Sequence, residues 1–152
     1  LKLTGALEKP EPDWNQIGTD PEKMGQNLLD PPSVEGWHTG REWINSGALM
    51  KRVNFVADYV RRTELSGNRR NVQWIIDQSY NANTMSAEDL VDHCLELMGP
   101  LEVSDITKGN LYADAAIEGD ISWQTEDGKT EMTLRVGNVM ALIAGTREYQ
   151  FG

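Results

Sequence analysis

Leu49, Val53, Val56 and Val60 recur at spacings of four, three and four, which sets them on one side of a helix. Phe55 and Tyr59 widen that stripe, while Lys51, Arg52, Asp58 and Arg62 look outward or sideways. Asn45 and Ser46 are suited to cap its start, and Gly67-Asn68 reads as the stop signal near its end. The spacing predicts the longest helix of the chain, buried along one side. The stretch Met24 to Asp58, which launches this helix, is the densest in aromatics, Gly and Pro.

The rest of the chain gives further helices and very little alternation of period two. Residues 1–23 carry three of the six prolines and read as an arm or loop. Asp20-Pro21 starts a short helix to about Leu29, with proline in the first turn, where its missing N–H costs nothing. Asp30-Pro31-Pro32 ends it, and Gly36 and Gly40 bracket a tight loop at Trp37-His38-Thr39. Val72 to Tyr80 is assigned to helix without a clean period. Ser86-Ala87-Glu88-Asp89 resembles a capping box before Leu90, Val91, Cys94, Leu95 and Met98, and Gly99-Pro100 terminates that helix. Ser104 caps a helix over Asp105 to Ile117 with Leu111, Tyr112 and Ala115 inward. Gly119 to Lys129 reads as a polar loop with an Asp-Gly turn and Trp123 as its anchor. A last helix runs from Thr130 to about Tyr149, with Leu134, Val136, Val139, Met140 and Ile143 inward and Gly137 as a weak point. The expected fold is all-α, an irregular bundle of five to six helices with long Pro/Gly-rich connections, in one domain over 1–152.

A chain of 152 residues buries roughly 70% of its unfolded surface and needs no staple. Twenty-four acids against fourteen bases give a net charge of −10, which repels phosphate backbones and anionic lipid, so no nucleic-acid partner is expected. The longest apolar run, Val139 to Ala144, falls far short of the ~20 residues that span a bilayer, so no membrane insertion is expected either. Between Arg41 and Arg70, seven bases and three acids give a local balance of +4, which leaves −14 for the remainder. That segment reads as a solvated helix face answering acidic neighbours. Cys94 is the one cysteine, so no internal disulfide forms. The chain opens on Leu1 without a charged-then-apolar leader, as expected of a piece of a longer protein whose targeting segment lies outside it.

Gly25-Gln26, Leu29, Pro31-Pro32, Val34, Gly36-Trp37, Gly40, Trp43-Ile44-Asn45, Leu49, Arg52 and Asn54-Phe55 together resemble the C-terminal part of the bacterial family known as domain of unknown function 1800 (DUF1800). The closing Arg147-Glu148-Tyr149-Gln150 is similar to that family's "SPEYQ"-type ending. The resemblance implies a mostly helical protein of several hundred residues, often exported to the periplasm or cell surface and often encoded beside another exported protein. It carries over no catalytic or binding residue.

The loop Trp37-His38-Thr39-Gly40-Arg41-Glu42-Trp43 is the one suggestive constellation. Two indoles flanked by His38, Arg41 and Glu42 suit a sugar ring or a similar flat polar ligand. The plainer reading makes Trp37 and Trp43 core anchors, with Pro31, Pro32, Gly36, Gly40, Asn45, Arg52, Asn54 and Phe55 as the structural motif around them. Asp92, His93 and Cys94 are consecutive on a helix and point in three directions, so no metal site is expected. Neither a nucleophile elbow nor a phosphate or dinucleotide loop is present, and no catalytic residue or cofactor is assigned. The pairs Glu88/Asp92 and Asp114/Glu118 stand one helical turn apart and read as solubility features. The leading expectation is a non-catalytic packing and interaction module, its partners the remainder of its parent chain and another exported protein. The alternatives are carbohydrate or envelope-ligand binding through the Trp37–Trp43 loop, and part of a hydrolase whose active groups are shared with an N-terminal region.

Overall fold

The computed structural model describes residues 21–22, 24, 30–36, 46–61, 66–79 and 83–151. Its helices are α1 (Ser46–Arg61), α2 (Ser66–Gln78), α3 (Ala87–Met98), α4 (Asp105–Ala116), α5 (Glu126–Gly145) and α6 (Arg147–Phe151). Two short strands, β1 (Thr84–Met85) and β2 (Ile121–Ser122), pair antiparallel with Thr84 opposite Ser122 and Met85 opposite Ile121. The architecture is all-α, with a ribbon too short to act as a second layer.

Helix α5 is the axis of this arrangement, and the other five helices and β2 all pack on it. Its sequence explains why. From Arg135 to Ala144 only Asn138 and Leu142 are exposed, so this half of the helix is buried nearly all round and has to be surrounded. Met132, Val136, Met140 and Ile143 are fully buried, each contributing on the order of 1.5–3 kcal/mol. With 20 residues it is also longer than α1 with 16, which overturns the expectation that the helix after Asn45 is the longest. Leu134 is a further correction. It lies about 200° round the helix from Val136 and is 51% exposed, while Met132 and Arg135 take the inward positions.

Helix α1 lies along α5 with Val60 and Ala48 buried and Leu49, Val53 and Val56 half-buried, much as its periodicity predicts. The rings of Phe55 and Tyr59 stand 5.5 Å apart, centroid to centroid. The helix ends at Arg61, short of Gly67-Asn68, which belong instead to the first turn of α2. Glycine and asparagine interrupt little there, because first-turn N–H groups have no intrahelical acceptor in any case. The expected helix from Pro21 keeps Pro21 and Glu22 as helical residues, and 25–29 lie outside the described part. Asp30 to Gly36 is non-helical, as the prolines require, and Gly36 N–H closes a turn on the Ser33 carbonyl at 3.0 Å.

The caps read at Ser86 and Ser104 and the stop at Gly99 form as expected. Ser86 Oγ accepts from Asp89 N–H at 3.1 Å and donates to Asp89 Oδ2 at 2.7 Å. Gly99 ends α3 with φ +104, a conformation that side chains with a Cβ avoid. Ser104 Oγ accepts from Thr107 N–H at 3.2 Å.

The expected polar loop over Gly119 to Lys129 is the largest correction. Ile121 and Ser122 pair with β1, Trp123 is buried as the predicted anchor, and α5 begins four residues early, at Glu126. Thr125 caps it, its Oγ1 accepting from Gly128 N–H at 3.0 Å, and Glu126 and Asp127 suit the positive helix end. Asp127-Gly128 is therefore helix and not a turn. The glycine is there because β2 passes so close that a Cβ would collide with the Ser122 carbonyl oxygen. At the far end, Thr146 is extended, its Oγ1 donating to Ile143 O at 2.7 Å and accepting from Tyr149 N–H at 3.3 Å. One threonine thus closes α5 and caps α6, splitting the single helix expected to reach Tyr149.

Gly128→Ala should lower stability by roughly 1–3 kcal/mol through this backbone collision, read as a lower melting temperature. Gly109→Ala, in α4 with open space around the added methyl, should raise it by about 0.8–1 kcal/mol. Equal effects of the two substitutions would contradict this account of Gly128.

Candidate functional site

Trp37, His38, Gly40, Arg41, Glu42, Trp43 and Asn45, the heart of the predicted ligand loop and its motif, lie outside the described residues. Of the remaining motif residues, Pro31 and Pro32 are exposed and Gly36 is half-buried in the turn before that loop. Arg52 and Phe55 are half-buried on α1 and Asn54 is exposed. In the basic segment, Lys51, Arg61, Arg69 and Arg70 are exposed, as expected of a solvated face.

The described residues bring polar chemistry together instead at the α3–α4 seam. Lys108 and Tyr112 stand one turn apart on α4, and both reach Asp92 on α3. Lys108 Nζ lies 2.9 Å from Asp92 Oδ1, and Tyr112 Oη donates to the same oxygen at 2.8 Å. The Lys108 ammonium is also 5.3 Å from the Tyr112 ring centroid. Burial works to raise the Asp92 carboxyl, but the hydrogen bonds from Lys108 and Tyr112 and the lysine charge outweigh it and hold the acid below its ordinary range. The Tyr112 hydroxyl and the Asp92 carboxylate in turn raise Lys108. An acid held low beside an ammonium held high exchanges no proton near neutrality, so this triad ties two helices and is poorly suited to acid–base work.

Asp92, His93 and Cys94 diverge as their spacing predicts. Asp92 turns to α4, His93 meets the Trp74 ring of α2 edge-on at 6.0 Å, and Cys94 enters the core, where burial pushes its thiol up to about 12. Such a thiol is inert. Among the described residues no group of three or more His, Cys, Asp or Glu side chains is placed to hold a metal ion.

Both ends of α4 are tied down by side chains whose roles sequence inspection misses. At the C-terminal end Arg135, 3% exposed, donates from Nη2 to the carbonyls of Ala115 at 3.2 Å and Gly119 at 2.6 Å. Its Nε lies 3.0 Å from Glu118 Oε2, and Nη1 is buried without a partner. The guanidinium answers the negative helix end from inside. The available signal was a base set within an apolar stripe. At the N-terminal end Glu148 of α6 accepts from Thr107 Oγ1 at 2.7 Å and Ser104 N–H at 3.3 Å. Hydrogen bonds from Thr107, from its own backbone and from Ser104 bring its carboxyl down to about 2. Gln150, also in the closing motif, is buried and donates to Ala144 O at 2.6 Å. The carboxylate pairs are thus only half as expected: Glu88 and Asp114 face water, whereas Asp92 and Glu118 each fasten an element.

Fold and side-chain arrangement define an all-α protein whose polar groups join helix to helix. A family model described as "Protein of unknown function (DUF1800)" matches residues 3–151, essentially the whole chain. The chain belongs to the DUF1800 family. No curated protein and no solved structure matches it. Among the described residues no helix is long and apolar enough to cross a membrane.

Arg135→Met should cost roughly 1.5–3 kcal/mol, because charged hydrogen bonds to two carbonyls are lost. Lys129→Met, which breaks only an exposed pair with Glu126, should cost less than about 1 kcal/mol. Chemical denaturation of the two variants checks the contrast. For Glu148 the folded carboxyl ionises below its ordinary value of 4.5, at about 2. Its contribution to stability is therefore complete above about pH 4.5 and is lost as pH falls towards 2. Melting temperature followed from pH 6 to 2 should accordingly fall less steeply in Glu148→Gln than in the parent chain.

Proposed function

We propose that this chain is a non-catalytic helical packing and interaction module of a larger exported bacterial protein, working against the rest of its parent chain or another exported protein. The observation that supports this reading most is where the polar side chains go. Asp92, Glu118 and Glu148, the carboxylates in the best-formed polar contacts, each hold one helix to another element, and the single thiol is sealed in the core. Groups used in this way set shape and leave the surface to carry recognition.

The test is a thermal-shift screen of the chain against glycans, sulfated glycans, divalent metals and small anions. A ligand at about 100 times its Kd adds roughly 2.7 kcal/mol, on the order of 5–10 °C here. The module reading expects a cooperative melt with no such shift. Stabilisation by one glycan class, abolished in Trp37→Ala or Trp43→Ala, would replace it with ligand binding through the Trp37–Trp43 loop.

A further inference from the structure

Helix α4 has two apolar faces, and among the described residues only one is covered. Leu111 and Ala115 are buried, whereas Ile106 and Ile117 on the opposite side are 79% and 82% exposed. These isoleucines are eleven residues apart, which returns them to the same side of the helix within about 20° and about 16 Å along the axis. Between them Gly109, Asn110, Ala113 and Ala116 are exposed too, and none is charged. Gly109 and Ala113, four residues apart, leave the middle of this stripe low enough for another helix to come close, and nothing lies within 4 Å of a methyl added at Gly109. Aliphatic pegs at both ends of a shallow neutral saddle suit side-by-side packing of a second helix.

The rim is of one sign. Asp105 and Asp114 border the stripe, and Glu102 and Asp120 stand at its ends, all exposed. The one base of α4, Lys108, is turned to α3 and engaged by Asp92. A second copy of this chain meeting it through the same face of α4 would bring acids against acids. We propose that the outward face of α4 docks a basic amphipathic helix of another polypeptide. Its apolar residues lie along the Ile106–Ile117 line, and its lysines or arginines meet the acidic borders. This deepens the interaction-module reading and rests on it.

The probe is a synthetic 18-residue helix with leucines at positions i, i+4, i+7 and i+11 and lysines on the flanks, beside a control peptide whose flanks are glutamates. It is titrated into the whole 15N-labelled chain. The lysine peptide is expected to shift the backbone amides of 106–117. Its affinity should fall at least about tenfold in the double variant Ile106→Ser with Ile117→Ser, several-fold in Asp114→Lys, and not at all in Leu134→Ser, the exposed leucine of α5. These side chains are exposed, so each variant should keep the parent melting temperature, which a circular dichroism melt verifies. Shifts centred away from α4, a double variant that binds within twofold of the parent, or equal binding of the glutamate peptide would overturn the proposal. So would a concentration-dependent dimer in sedimentation that the double variant abolishes. Absence of peptide binding with a blank thermal-shift screen sinks this proposal and leaves the module reading standing, whereas glycan stabilisation lost in Trp37→Ala removes the module reading on which this proposal rests.

Discussion

A helix half of which is buried nearly all round cannot sit at a surface, and α5 imposes that constraint on the rest of the molecule. Its walls are supplied from every side. The length of α1 lies on one flank, α2 and α3 on others, and the β-ribbon with Trp123 closes its first turns. Elements contributed by residues as far apart as Ser46 and Phe151 share one core because they share one helix to cover. The hydrophobic contribution is non-directional and says little about how each element is turned. Orientation has to come from elsewhere.

It comes from hydrogen bonds at helix ends. Helix α4 shows this most plainly, since it touches α5 less extensively than α1 does and has a weak apolar side. A carboxylate meets its first turn, a buried guanidinium meets its last carbonyls, and the Asp92–Lys108–Tyr112 contact fixes its rotation against α3. The dipole at each end favours the sign of charge placed there. Thr146 does comparable work with a single hydroxyl, ending α5 and starting α6 at the angle that sends Glu148 back to α4.

What was legible in the sequence was local. Ser86, Ser104 and Gly99 announce caps and a stop because the groups they satisfy lie within four residues, and the family resemblance in the Met24–Phe55 stretch extends to the whole chain. What was hidden depends on partners far away in sequence. Gly128 looks like a turn glycine until the Ser122 carbonyl is seen against it, and Leu134 looks inward only if its angle to Val136 is ignored. The strand at Ile121-Ser122 is two residues long and has no period to detect. The ties made by Arg135 and Glu148 are missed because a helix end 16 to 44 residues away is invisible from a window of ten.

The Glu148 contact also has a consequence in time. A ribosome delivers Ser104 and Thr107 well before the residue that completes their cap, 44 and 41 positions further on. At ordinary elongation rates that interval is roughly 2–9 s, far longer than the microseconds a helix needs to form and melt. Through it α4 has the Ser104 hydroxyl at its first turn but not the acid, and the α5 surface it must cover is still being made. Helices α1 to α4 are thus made before the helix they pack on, and the emerging chain spends seconds with their inward faces uncovered. That is the interval in which a chaperone has the most surface to hold.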